Sequence, residues 1–247
     1  MAVLGIDVNY YHGNIDWVRI KNSGVKFAIL RLGYTGYRNV KKKVLDPMFE
    51  IYYKNAKAVG LPIGVYYCSR AVTVEEGENE AKFVIEHLKD KQLEYPVYIT
   101  VEDRYYQAKA NKINLTNAIK SFCDILEENN YYVGIYTNWE WLNNKLEVSV
   151  LDKYDKWLAE YSNDFNCTYG MWQLANTGNI GGLTNVKLNY AYKNFPSIMA
   201  IKGLNGYLKS SINTNKKTRL KVISKIIKMI TKIFNKFKKL VVARLYF

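Results

Sequence analysis

Apolar residues in this chain come in short dense runs, separated by longer stretches in which they recur every third or fourth position. "VLGIDV" (3–8), "KFAILRLG" (26–33), "LPIGVYYCSRA" (61–71) and "YPVYITVED" (95–103) have the length and the β-branched, aromatic content of buried strands. Between the second and third lies "DPMFEIYYKNAKAVG", and between the third and fourth "TVEEGENEAKFVIEHLKDK"; both carry apolar residues at helical spacing. The rhythm continues with "TNAIKSFCDILEENN" as a helix, "YYVGIYT" (131–137) as a strand, "NWEWLNNKL" as a helix and "YDKWLAEYS" (154–162) as a strand. Alternation of this kind predicts a parallel sheet. After it, "YGMWQLANTG" and "NVKLNYAY" read as strands joined by the Gly-rich "TGNIGGLTN", with no helix between them. The fold class is therefore α/β: an irregular TIM-like barrel of eight strands with helices after the first five, whose site belongs at the carboxyl ends of the strands.

The fourth run ends in "YPVYITVEDRYY" (95–106). Period-two alternation puts Tyr98, Thr100 and Glu102 on one face and Ile99 and Val101 on the other. One carboxylate thus stands at the strand end, with a threonine two residues before it. Asp103 falls on the opposite face if the strand persists that far.

The pattern changes after residue 206. In "NTNKKTRLKVISKIIKMITKIFNKFKKLVVARLYF", apolar positions from Leu220 to Leu240 follow spacings of three and four, with lysines filling the opposite side. This predicts a barrel domain over 1–206, a linker over 207–215 and a C-terminal basic amphipathic helix within 216–247, about 25 residues and roughly 37 Å long. The tail holds 11 Lys or Arg and no acid, which leaves 25 basic residues against all 22 acidic ones in the body. The net charge of +14 therefore resides mainly in the tail. Its uninterrupted apolar stripe suits an anionic membrane surface or a hydrophobic groove better than nucleic acid, for which charge alone offers only non-specific phosphate contacts. Docking of the stripe on the barrel is the structural alternative. No run reaches the roughly 18 apolar residues that span a bilayer.

Three cysteines without CxxC spacing and two histidines argue against a zinc site or a disulfide framework, and no cofactor is expected. Cys68 and Cys123 read as core residues. The start "MAVLGIDVNYY" lacks a charged region followed by an apolar one, so no signal peptide is expected and synthesis in the cytoplasm is the default. Twenty-two Tyr and five Trp suit a cleft that stacks on sugar rings, although a Lys-, Asn- and Tyr-rich bias explains them equally.

Taken in order, "GIDVNYYHGNIDW" (5–17), "GVKFAILRLGY" (24–34), "NAKAVGLPIGVYYCSRA" (55–71), "YPVYITVED" (95–103), "YYVGIYTNWEWL" (131–142), "KWLAEY" (156–161) and "YGMWQ" followed by "NVKLNYAY" resemble the family 25 glycoside hydrolases. These are lysozymes that cut the N-acetylmuramic acid to N-acetylglucosamine bond of bacterial peptidoglycan. The resemblance covers residues 3 to about 206 and implies the family's barrel, peptidoglycan as ligand and action at the bacterial cell wall after release. Asp7 matches an acidic cleft residue, and Glu102 matches the general acid. Tyr66, Tyr98, Thr100, Tyr136 and Trp172 are the candidate substrate-binding positions, with barrel packing the alternative for Tyr66, Tyr136 and Trp172.

Two departures bear on activity. The family usually has Asp-x-Glu where this chain has Thr100-Val101-Glu102. That Asp is thought to steady the substrate's acetamido group as it attacks the anomeric carbon. Family members commonly carry an Asp where this chain has Lys187, with Asn189 two residues on. An ammonium at Lys187 pointing into the cleft is expected to lower the pKa of Glu102. His12 stands where the family often has Gln. Two readings follow: a peptidoglycan hydrolase with activity reduced or lost through Thr100 and Lys187, or an inactive wall glycan-binding protein whose basic tail engages membrane. Asp46, before Pro47, is expected to cap a helix, and Arg31 to pair with a buried acid.

Overall fold

The computed structural model describes residues 2–37, 41–161 and 169–208, together with Ser224. The first of two units runs from Met1 to Leu208. Apart from Ser224, the amphipathic helix expected within 216–247 lies outside the described residues, as does most of the expected linker.

Strand β1 (Val3–Val8) leads through a short 3-10 turn, Tyr10–His12, to helix α1 (Trp17–Asn22). Strand β2 (Phe27–Thr35) is followed by the short β3 (Lys43–Leu45) and helix α2 (Phe49–Ala58). Next come β4 (Ile63–Cys68), α3 (Val74–Leu88), β5 (Val97–Thr100), α4 (Lys112–Glu128) and β6 (Val133–Asn138). Helices α5 (Trp139–Lys145) and α6 (Val148–Leu151) precede β7 (Asp155–Ala159), β8 (Met171–Ile180), β9 (Leu183–Ala191) and α7 (Phe195–Lys202). The sheet runs β1-β9-β8-β7-β6-β5-β4-β2-β3, and β1 also pairs with β2, so eight strands close into a barrel with β3 hydrogen-bonded to β2 outside it. Helices follow the first five barrel strands, as the periodicity predicts. The barrel is parallel as far as β8 and becomes mixed at β9, which is antiparallel to both β8 and β1.

Two differences from the sequence expectation have local causes. The Gly-rich stretch read as a loop is mostly strand: β8 and β9 extend to Ile180 and Leu183, and only Gly181 and Gly182, both at positive φ, make the turn. Helix α2 starts later than an Asp46 cap requires. Asp46 Oδ1 accepts the Met48 N–H at 2.9 Å, forming a turn before the helix, and Met48 takes the cap position.

Alternation along the strands separates two cores. Val97, Ile99 and Val101 pack outward among the helices with Leu115, Ile119 and Phe122. Tyr66, Tyr98, Tyr136, Trp157 and Met171 fill the barrel. The Trp157 ring lies 4.5 Å from Tyr136 and 5.1 Å from Tyr98, so one indole joins rings from neighbouring strands. At the amino-terminal end Phe195 of α7 closes the barrel, 5.4 Å from Tyr95 and 5.8 Å from Tyr132. The opposite end stays open for function.

Gly134 makes room for the interior: a Cβ there meets Tyr98 Cε1 at 2.4 Å. Gly134→Ala is expected to destabilise the fold by about 1–3 kcal/mol through overpacking. A lowered denaturant midpoint at unchanged slope is the result to look for.

Candidate active site

The open end is organised around one buried carboxylate. Asp7, on β1, is opposite Lys187 of β9 in the sheet register. Its Oδ2 accepts hydrogen bonds from Gln173 Nε2 and Asn189 Nδ2, both at 3.0 Å. These amides are themselves oriented: Asn189 Oδ1 accepts Trp157 Nε1–H at 2.8 Å, and Gln173 Oε1 accepts the hydroxyls of Tyr136 (3.1 Å) and Tyr161 (2.8 Å). Burial pushes the Asp7 carboxyl above the ordinary carboxylate range, outweighing the opposing pull of Lys187 and of the amide donors.

Lys187 faces this carboxylate and the mouth, with Nζ 5.7 Å from the Tyr136 ring centroid. Desolvation acts to lower its pKa, but the charges of Asp7 and Glu102 raise it further, so the ammonium is retained. Beside it, Asn9 follows β1 and caps the Tyr10–His12 turn with its side chain turned two ways: Oδ1 accepts Tyr11 N–H (3.0 Å) and Nδ2 donates to Tyr66 Oη (3.3 Å). His12 Nδ1 lies 3.0 Å from Asn9 O, folding the ring back over the turn. Asp7, Asn9, His12, Asn176, Asn185 and Lys187 help line a cavity of about 580 Å³. Its amide-rich wall suits hydroxyl and acetamido groups. Arg31 fixes this segment from below, pairing with Asp46 at 2.7 Å while Asp46 Oδ2 also accepts the Tyr10 N–H.

Glu102 stands across the mouth. Strand β5 stops at Thr100, and the chain then turns because Gln107 Oε1 accepts the N–H groups of both Glu102 (3.1 Å) and Asp103 (3.0 Å). Gln107 is fully buried. Its Nε2 reaches Ser69 Oγ at 3.4 Å, tying the ends of β4 and β5 together. Glu102 is solvent-exposed at the rim of a concave mouth. Desolvation there raises its pKa, and the lowering effect of Lys187 is the smaller influence. Lys187 acts on Glu102 in the expected direction, lowering its pKa, but desolvation in the mouth is the larger influence and the net shift is upward. Glu102, Thr100, Cys68 and Arg70 help line a second cavity of about 320 Å³. Burial holds the Cys68 thiol up at about 11, in its unreactive neutral form.

Asp7, Thr100, Glu102, Lys187 and Tyr136 therefore gather at the open end, with Tyr66 just beneath Asn9. Two expected substrate contacts go elsewhere. Tyr98 is fully buried in the barrel interior. Trp172 lies between the inward-facing Met171 and Gln173, hence on the other face of β8, where its Nε1 donates to Glu160 O at 2.6 Å. Sequence reading missed Gln173 and Gln107. The available signal for Gln173 was its place as a polar residue in phase with inward Met171; Gln107, which opens a one-turn 3-10 helix (Gln107–Lys109), gave none.

Asp7 and Glu102 stand at the carboxyl ends of barrel strands, the face on which barrels of this class build their sites. Residues 6–183 match the family described as Glycosyl hydrolases family 25, and the chain belongs to that family. A curated relative, the autolytic lysozyme of Clostridium acetobutylicum, is 25% identical over 187 residues, which is 73% of this chain and 52% of the relative. The modular autolysin LytC from Streptococcus pneumoniae, solved with a synthetic peptidoglycan ligand, is 26% identical with a TM-score of 0.68, over 77% of this chain and 47% of its own. The chain thus spans about half the length of these two relatives. A family 25 glycosyl hydrolase from Bacillus anthracis, 21% identical over 77% of this chain and 89% of its own, shares the fold with a TM-score of 0.65.

Because Lys187 opposes the burial effect on Glu102, its removal has a defined sign. In Lys187→Met the Glu102 carboxyl is expected to titrate at higher pH than in the wild type, read by carboxyl carbon-13 NMR. A shift to lower pH contradicts the geometry described.

Proposed function

We propose that this chain is a peptidoglycan-directed, lysozyme-like protein that binds glycan strands and hydrolyses the N-acetylmuramic acid to N-acetylglucosamine bond, at a rate held down by Thr100 and Lys187. The observation that carries this reading is Glu102, a carboxyl raised in pKa by its surroundings at the mouth of a family 25 barrel. Such a group keeps its proton to higher pH than an ordinary glutamate and is suited to protonate a leaving glycosidic oxygen. The similarity to an autolytic lysozyme and to a peptidoglycan-bound autolysin supports the choice of substrate.

Departure of the leaving group builds positive charge on the sugar ring, and in a neighbouring-group mechanism the substrate's acetamido oxygen attacks the anomeric carbon with a nearby carboxylate steadying the charge. The product then retains its anomeric configuration. Thr100 offers a hydroxyl at this place and no negative charge. Asp103 is poorly placed to substitute, because Oδ1 accepts the N–H groups of Tyr105 and Tyr106, and Oδ2 lies 3.2 Å from Arg70 Nε. Asp7 supplies negative charge, but Lys187 opposes it. Losing one well-placed stabiliser costs about 2.7–4 kcal/mol, or roughly 10²–10³ in rate.

A second reading, a glycan-binding protein without turnover, is favoured by the same ammonium, which acts on both Asp7 and Glu102. In either case the chain works at the bacterial cell wall, and the basic residues of 216–247 add contact with an anionic membrane surface at about 1 kcal/mol each.

Dye release from labelled peptidoglycan by the full chain tests this. Wild type is expected to be slow and Glu102→Gln silent, with Thr100→Asp/Lys187→Asp faster than wild type by about 10² or more. Slow wild-type turnover that survives Glu102→Gln overturns the assignment of the acid. A double variant no faster than wild type overturns the role given to Thr100 and Lys187.

A further inference from the structure

The wider cavity of the mouth holds a cation that the proposed chemistry does not need. Lys187 stands on its wall, with Nζ 5.7 Å from the Tyr136 ring centroid. Among the described residues its ammonium forms no ion pair and no hydrogen bond, and Asp7 and Glu102 act on it at longer range. Its donors therefore face the cavity unmet by protein oxygen.

The rest of that wall is short of acid. Among the described residues that line it Asp7 is the one carboxylate, and its Oδ2 already accepts the amides of Gln173 and Asn189. Glu102 lines the neighbouring cavity instead. A second cation lies close by: a Cβ at Gly182 would meet Arg19 Nη1 at 2.8 Å, so this guanidinium packs against the β8–β9 turn that forms part of the wall. Asn9, Asn14, Asn176 and Asn185 surround these charges with neutral donors and acceptors. Two permanent cations beside amide groups and one engaged carboxylate complement an anion that has polar neighbours, because a charge-assisted contact outweighs a neutral one.

N-acetylmuramic acid differs from N-acetylglucosamine by a lactyl ether ending in a carboxyl group, which is an anion when free and a neutral amide when a peptide is attached. We propose that Lys187 reads this group: the wider cavity takes glycan strands whose lactyl carboxylate is free and disfavours strands in which it is blocked as an amide. The proposal rests on the cleft being a glycan site, and it names the form of glycan that the site accepts. It also places the protein after an amide hydrolysis, in which water cleaves the bond between sugar and peptide and releases the carboxylate and a peptide amine.

Equilibrium binding of peptide-free peptidoglycan strands, beside the same strands with their carboxylates converted to methylamides, tests the proposal. The full chain is used in a Glu102→Gln background so that ligand is not consumed. The carboxylate form is expected to bind about tenfold more tightly than the methylamide form. Lys187→Met should remove that difference by weakening the carboxylate form alone, its unchanged methylamide binding showing that the variant is folded, and Lys187→Arg should keep the difference. A preference that survives Lys187→Met belongs to other basic residues, those of 216–247 included, and overturns the proposal. Equal binding of both forms by the parent overturns it while the glycan cleft stands. If neither form binds the parent, the cleft reading and this one fail together.

Discussion

The hydrogen bonds from Gln173 and Asn189 to the Asp7 carboxylate hold the open end of this barrel in its present form. A carboxylate buried at a strand end is costly unless donors meet it. Here two amides do so, one from β8 and one from β9. The same contacts bind the antiparallel hairpin to β1 where the ring closes. Through Asn189 and Gln173 they also orient Trp157, Tyr136 and Tyr161, so interior packing and the shape of the mouth share one polar hub.

Lys187 belongs to this hub in register and opposes it in charge. Paired with Asp7 across β1 and β9, it adds a retained ammonium to a mouth that also holds Glu102. Desolvation in the mouth still outweighs Lys187, so the net shift of Glu102 is upward. Thr100 brings no negative charge to the mouth, and Asp103 is engaged with Arg70 and the following turn. In the proposed function the cleft pairs Glu102 as proton donor with a weakened means of stabilising positive charge on the sugar.

Much of the scaffold was legible from residue periodicity. The five strand–helix repeats and the helix-free last strands follow from apolar runs of fixed length, because a closed barrel with an outer helical layer needs both periods. The length of β8 and β9 was not legible, since "TGNIGGLTN" has turn composition and becomes strand only by pairing with itself across Gly181 and Gly182. The carboxylates of Asp7 and Glu102 could be placed at strand ends from alternation and family resemblance. The aromatic contacts could not. Tyr98 points inward by the same alternation that aligns it with Thr100, and at its depth inward means core; Trp172 falls on the opposite face of its strand from Gln173. The influence of Lys187 on Glu102 had the right sign in the sequence, but its rank below burial depended on the depth of the mouth.

The proposed function requires the open end of the barrel to be a glycan site. Backbone amide NMR of the full chain, recorded as peptide-free peptidoglycan strands are added, tests this most directly because it needs no turnover. The account predicts shifts concentrated at Asp7, Asn9, Thr100, Glu102 and Lys187, saturating with ligand. Absence of shifts at saturating strand concentration, or shifts confined to the α7 end, would contradict it.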